Sequence, residues 1–195
     1  MNLKIAELPA IEEVLRDHGE VSIAFTATSR FRVDLLGNGL AGVRLVEEPL
    51  ASPMLHDGDA IEGEGPLSWL ARWDLSRWIV LSAYDGAQRV GGAVVARHTG
   101  DMWFLHGRED MAALWDIRVD PDYRRRGVGK SLLSDAAEWA RLQGCRWLKI
   151  ETQNTNVAAC RFYEAMGARL GGIDRFAYAS LPDEVELDWF LDLNP

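Results

Sequence analysis

The stretch from Trp115 to Leu170, WDIRVDPDYRRRGVGKSLLSDAAEWARLQGCRWLKIETQNTNVAACRFYEAMGARL, decides the fold. Leu114 to Val119 is a short apolar run with β-branched residues, closed by Asp120-Pro121-Asp122, and reads as a strand entering a turn. Arg124-Arg125-Arg126-Gly127-Val128-Gly129-Lys130 comes next. From Val128 onward, Leu132, Leu133, Ala136, Ala137, Trp139, Ala140 and Leu142 recur at helical spacing, and Gly144 sits where a helix stops. A strand, a basic glycine turn and a helix start thus follow one another directly. Glycine lets a ligand approach the backbone, a helix start offers N–H donors and the positive dipole end, and arginines fit phosphate oxygens. The stretch reads as a phosphate or pyrophosphate cradle, the plainer alternative being a basic surface turn.

Two familiar motifs do not fit. Gly129-Lys130-Ser131 looks like the tail of a nucleotide-binding P-loop, but that motif needs a glycine where this chain has Arg124. The dinucleotide fingerprint GxGxxG fails as well, because no third glycine follows Gly129 at the required spacing.

Beyond the cradle, Cys145 to Thr152 reads as another strand. Asn154, Thr155 or Asn156 can cap a following helix through Val157, Cys160, Tyr163 and Met166 that ends at Gly167. RxxGxG opening a helix, followed by ETQNxNxxACxFYxxMGxxxxG, resembles the GCN5-related N-acetyltransferase (GNAT) superfamily. Within it, the wording DIRVDPDYRRRGVG, ETQNTNVAACRFYEAMGARLGG and ELDWFLDL is most similar to streptothricin acetyltransferases, as is VSIAFTATSRFRVDLLGNGLAGVRLVEEPL near the start. The resemblance implies an α/β (α+β) fold whose central mixed, mostly antiparallel sheet of about seven strands is flanked by helices.

Elsewhere the chain is that of an ordinary globular protein. Its 195 residues, 48% hydrophobic and 26% charged, predict one domain spanning 1–195 with its own core. A net charge of −9 speaks against nucleic-acid binding and for steering cationic amines, though it also serves solubility. Cys145 and Cys160 read as reduced, packed thiols of a cytoplasmic protein. The start carries an early acid and no apolar core, so it does not read as a signal peptide, and no run is long enough for a membrane span. His18, His56, His98 and His106 lack ligand spacing, which predicts no metal site.

In order, a short helix is expected over residues 9–18, starting at Pro9. Strands are expected at Val21–Phe25, Phe31–Leu36 and Val43–Val46, with a turn at Gly37-Asn38-Gly39. Residues 49–66 read as a long loop able to cover a site, and Leu67–Trp73 as a short helix or more loop, with Trp69, Trp73 and Trp78 in the core. Trp78–Tyr84 and Val90–Arg97 form a hairpin beside Leu114–Val119. Val185, Leu187, Trp189 and Leu191 alternate with acids and Phe190, as in a strand with one buried face.

The resemblance also implies a chemistry. Acetyl-CoA would be the cosubstrate, its pyrophosphate in the cradle from Arg124 to Lys130 and its arm along the main chain of Ile117, Arg118 and Val119, with an Ile117 N–H as oxyanion donor. Tyr163 matches the position that protonates the departing thiolate, with Ala159 and Gly167 matching around it, and Asn156 would contact the arm. For each there is a plain alternative: Tyr163 as core, Asn156 as cap. Asp116 and Glu151 are the candidate bases for the attacking amine, either of which could equally be a salt-bridged strand acid. Glu186 and Asp188 could complete an acidic substrate pocket walled by Trp115, Tyr178 or Trp189. Cys160 lies one turn before Tyr163, but nothing in the sequence activates it, which favours direct attack of the amine in a ternary complex over an acetyl-cysteine route. The expected acceptor is a small cationic amine such as streptothricin. The alternatives are a peptide amine, or a non-catalytic acyl-CoA sensor; dimers are common among proteins of this type.

Overall fold

A computed structural model describes residues 1–61, 63–97, 102–179, 181 and 183–194. The chain forms two compact units. The first comprises Met1–Ile23, Asp57–Ile150 and the C-terminal residues from Phe190; the second comprises Ala24–His56 and Glu151–Trp189.

The first unit contains strand β1 (Leu3–Pro9) and helix α1 (Glu12–Gly19). After β2 and β3, which belong to the second unit, come the short helix α2 (Trp69–Arg72), β4 (Ile79–Asp85), β5 (Gln88–Arg97) and β6 (Met111–Val119). Helix α3 (Val128–Leu142) and the start of β7 (Trp147–Gln153) complete it. β1, β4, β5 and β6 are antiparallel neighbours in turn, whereas β6 and β7 run parallel. With β8 (Arg169–Asp174) and β9 (Glu186–Asp192), the seven-stranded sheet has the order β1-β4-β5-β6-β7-β9-β8.

Two consecutive glycines on β5 determine how helices lie against this unit. Successive strand residues face opposite sides of a sheet. A Cβ on Gly91 would come within 3.3 Å of Leu132 and Val128 on α3, and within 2.8 Å of the Arg118 carbonyl. One on Gly92 would stand 2.6 Å from His18 Nδ1 on α1. The bare backbone therefore admits α3 on one face and α1 on the other. α3 fills its face with Val128, Leu132, Leu133, Ala136 and Ala140. A cluster including Leu15, Trp69, Trp78, Val80, Val94, Phe104 and Met111 forms the unit's core, with Trp73 and Trp115 packed against it.

The second unit contains the two-stranded ribbon of β2 (Phe25–Leu36) and β3 (Gly42–His56), the end of β7, helix α4 (Val157–Ala165), β8 and most of β9. Asn154 binds the ribbon by two hydrogen bonds with Phe31: the Phe31 main-chain N–H donates to the Asn154 carbonyl, and the Asn154 side-chain NH2 donates to the Phe31 carbonyl, both at 2.9 Å.

Several expectations are corrected. Pro9 does not start a helix; it ends β1 opposite Ile79, since the residue before a proline favours extended backbone and an edge strand tolerates the missing N–H. Residues 21–24 are not a strand, and Thr26–Arg30 is not a turn but part of β2. The supposed loop from 49 is strand as far as His56. Its prolines are accommodated because the ribbon register jumps from Ala27↔Met54 to Ser29↔Pro49, leaving Pro53 in the irregular stretch. β9 does not have a single buried face: Glu186 is buried along with Leu187 and Trp189. The helices over 128–142 and 157–165, the Gly37–Gly39 turn and the β4–β5 hairpin are as expected.

Gly92→Ala should lower stability by about 1–3 kcal/mol, the usual cost of overpacking, and Tm by several degrees. Thermal denaturation will check this; an unchanged Tm would mean α1 yields without strain.

Candidate active site

The first unit contains the cradle. Arg124, Arg125 and Arg126 are exposed, and Arg125 has a left-handed φ of 64°. Gly127, with φ 90°, is the N-cap of α3 and contributes no side-chain cap, and a Cβ built on it meets nothing within 4 Å. The start of a 15-residue helix thus opens into free space beside three guanidinium groups. Forked cations, helix-start N–H groups and a positive dipole end are the donor set that suits a pyrophosphate. The Arg126 guanidinium lies 5.3 Å from the centroid of the Tyr123 ring, whose hydroxyl donates to Gln88 Oε1 at 3.3 Å. Arg124 Nε donates to the Val119 carbonyl at 3.1 Å.

β6 leads into this cradle. Val94 pairs with Asp116 and Val95 with Leu114, so Trp115 is the extra residue of a bulge. The pairing of β6 with β5 continues to Gly91↔Val119, whereas the parallel register with β7 runs only from Met111↔Trp147 to Leu114↔Ile150. Ile117 and Val119 are half-buried and alternate with buried Asp116 and Arg118.

Asp116 and Arg118 form a network that the sequence did not reveal. His18 Nε2 lies 2.8 Å from Asp116 Oδ1, and Arg118 Nε and Nη2 donate to the same carboxylate at 2.9 and 2.6 Å. Arg118 also donates to Asp59, at 2.7 Å for the shorter contact, and to the Val21 carbonyl at 3.0 Å. Burial would raise the Asp116 carboxyl, yet His18 and Arg118 hold it well below the usual carboxylate range. Burial lowers His18 despite the opposing pull of Asp116. The expectation of Asp116 as a base is corrected on this ground: a buried carboxylate with its oxygens occupied by donors has little affinity for a proton. Trp115, half-buried, packs edge-on against Trp73 at 4.8 Å between ring centroids and lies 5.6 Å from Trp78.

The second unit holds the other candidates. Asn156 caps α4, its Oδ1 accepting from the Ala159 N–H at 3.2 Å. Tyr163 is buried on the same helix, its ring tilted against Phe162. Cys160 is buried one turn earlier, and burial pushes its thiol up to about 12. The Tyr178 hydroxyl donates to Glu151 Oε1. Burial, then the neighbouring Glu151, Glu186 and Glu184, push the Tyr178 phenol far up. Glu184, which sequence reading missed, is buried 3.5 Å from His56 Nε2 and raised by that burial. Tyr178, Glu151, Glu184 and Glu186 thus form an acid-rich cluster, and Asp188 lies against Gly172 of β8. Trp189 is buried on β9. Among the described residues, no group of His, Cys, Asp and Glu is placed to hold a metal, and no helix is long and apolar enough to cross a membrane. His98 lies outside the described residues.

Residues 47–168, more than half of the chain, match the model of the Acetyltransferase (GNAT) family. The chain belongs to this family. It is 38% identical over 81 residues to streptothricin acetyltransferase A of Bacillus subtilis (strain 168), covering 40% of this chain and 47% of that protein. It is 31% identical over 170 residues to streptothricin acetyltransferase of Streptomyces lavendulae, covering 84% and 80%. Among solved structures, a Bacillus anthracis str. Ames protein assigned as a streptothricin acetyltransferase, in complex with acetyl coenzyme A, superposes with a TM-score of 0.74 at 27% identity, covering 98% of this chain and 99% of that one. The chain spans about half the length of the first curated relatives it matches, 47% and 48%. The GNAT assignment agrees with the observed mixed, mostly antiparallel seven-stranded sheet.

The buried network has a pH signature. His18 faces Asp116 and Arg118 from β6, Arg89 from β5 and the Trp69 ring from α2. Its imidazole takes a proton more readily in the unfolded chain, so below the ordinary value of 6.5 the unfolded state binds more protons and stability falls with pH. Wild-type Tm should therefore drop between pH 7 and 5, and His18→Gln should flatten that drop. A variant that loses Tm as steeply as wild type would eliminate His18 as the titrating group.

Proposed function

We propose that the protein is an acetyl-CoA-dependent N-acetyltransferase that acylates a primary amine of a small cationic molecule of the streptothricin type, residues 1–195 working as one catalytic domain. The observation that carries this reading is the exposed Arg124–Arg126 turn at the glycine-opened start of α3, in a chain of the GNAT family. Two relatives bearing the streptothricin name support the acceptor class, as does the net charge of −9, which attracts cations.

Bound acetyl-CoA supplies an acetyl thioester activated toward amines. Arg124, Arg125, Arg126 and Lys130 bind its phosphate oxygens together with the main chain from Gly127 through Val128 to Gly129. The main chain of Ile117, Arg118 and Val119 holds the amide-bearing arm as an added strand would be held. The Ile117 N–H donates to the thioester oxygen as negative charge grows there. Asn156, its Oδ1 engaged in the cap, donates to the arm through its NH2 group. Glu151 takes the proton of the ammonium, so that a neutral nitrogen attacks; an alkylammonium is mostly protonated near neutral pH. The N–C bond would form as the C–S bond breaks, Tyr163 giving a proton to the leaving sulfur and the second proton released by the nitrogen restoring the Tyr163 phenol. Glu151, Glu184, Glu186 and Asp188 supply negative charge for the acceptor's cations. Direct attack is favoured over an acetyl-cysteine because Cys160, pushed up to about 12, offers almost no thiolate at neutral pH.

A thiol-release assay with acetyl-CoA across streptothricin, aminoglycosides, polyamines, lysine and a lysine-bearing peptide tests this reading. Saturable turnover on streptothricin, lost in a folded Arg124→Ala/Gly127→Ala variant, is expected. Tight acetyl-CoA binding with no turnover on any amine would overturn the enzymatic reading in favour of a sensor, and turnover confined to the peptide would overturn the small-molecule acceptor. Glu151→Gln should lower kcat/KM at pH 7 by about 10²- to 10⁴-fold, the range for a lost general base. Cys160→Ala should retain activity, and its loss would revive the covalent route.

A further inference from the structure

α1 ends its last turn with a histidine that has no solvent exposure. His18 Nδ1 is buried without a hydrogen-bond partner, while Nε2 lies 2.8 Å from Asp116 Oδ1. A neutral imidazole that gives its one N–H to Asp116 and leaves Nδ1 as a bare acceptor fits both observations. An apolar residue of similar volume would remove the unpaired Nδ1 but would leave the buried Asp116 carboxylate one donor short, so the histidine is there for what it does to Asp116.

The strand it reaches provides a reason. Asp116 and Arg118 project from one face of β6 on either side of Ile117. The bulge at Trp115 interrupts the ladder with β5 immediately before Asp116, and the register with β7 has its last pair at Leu114↔Ile150. Side chains supply the constraint at this point. Asp116 is clamped between His18 and the Arg118 fork, while Arg118 is anchored to Asp59 and to the Val21 carbonyl. Gly92, which pairs with Arg118, leaves the space that the imidazole occupies. Buried networks of this kind favour one arrangement of the chain over near alternatives.

We propose that His18 is a positioning residue: by donating to Asp116 it fixes the main chain of β6 from Asp116 to Arg118, the edge that receives the arm of coenzyme A. The inference rests on the acetyltransferase reading above, and it gives Asp116 the role of a lock rather than of a base.

The test uses the full-length protein, with calorimetric Kd for coenzyme A, steady-state kinetics and Tm measured together. His18→Leu fills the same space without a donor, His18→Ala empties it, and His18→Gln places an amide N–H near the position of Nε2. His18→Leu and His18→Ala should weaken coenzyme A binding by about tenfold to a hundredfold, as expected for misplaced contacts, with the acceptor KM unchanged. His18→Gln should restore binding, and His18→Leu, which leaves Asp116 one donor short, should lower Tm as well. Wild-type Kd in folded His18→Leu and His18→Ala would overturn the proposal. So would a loss of binding that His18→Gln fails to rescue. If neither of these two variants folds, Asp59→Asn, at the half-exposed outer end of the network, decides: weaker binding at unchanged Tm supports the lock, and unchanged binding overturns it. Failure of the wild-type protein to bind coenzyme A would instead defeat the acetyltransferase reading itself, a distinct result.

Discussion

No atom beyond a hydrogen fits on β5 at Gly91 or Gly92, and the first unit is arranged around that constraint. Because the two residues face opposite sides, the sheet is approached closely from both at adjacent positions of one strand. On one side this brings Val128, the first residue of α3, down beside the end of β6, which is how a helix start and a strand edge come to be neighbours. On the other it admits an imidazole ring. Larger residues on β5 would push both helices outward, and the cradle would move away from the strand that leads into it.

What could be read from the sequence followed from contact range. α3 and α4 carry their own evidence: apolar residues at helical spacing, an asparagine cap, glycines past their ends. The cradle is contiguous, so it too was legible. β1 and β8 were missed for opposite reasons. β1 is an edge strand whose closing proline mimics a helix start, whereas β8 carries Gly171-Gly172, and the absent Cβ of Gly172 makes room for Asp188 of β9. The second half of β3, from Pro49, reads as a loop in the sequence because Pro49 and Pro53 interrupt it, although a two-stranded ribbon with a register jump accepts them.

The candidate site divides in the same way. His18 lies 98 positions from Asp116 in the chain, and Asp59 lies 59 positions from Arg118 in a segment rich in glycine and acids. No local pattern marks such partners, because their pairing depends on a helix crossing a strand at a glycine. Asp116 was conspicuous by its place beside Ile117, but its chemistry depends on the Arg118 fork two residues on and on an imidazole 98 positions away, which make it a fixed anion rather than a proton acceptor. In the acid-rich cluster, Glu151, Tyr178 and Glu186 could be picked out from a strand alternation and a family likeness. Glu184 could not, since it precedes β9 and is marked only by burial.

The stacking of Arg126 on Tyr123, and the bond from Tyr123 to Gln88 in the β4–β5 turn, have an entropic consequence. An arginine free in solvent must give up about 2 kcal/mol of rotamer freedom to grip a phosphate, whereas a guanidinium already resting on a ring has less to give up. If the turn holds a phosphate as proposed, it is to that extent preorganised. On the proposed reading that readiness is maintained by Gln88 at the start of β5, so sequence drift at this exposed glutamine would be felt as a change in cofactor affinity rather than in fold.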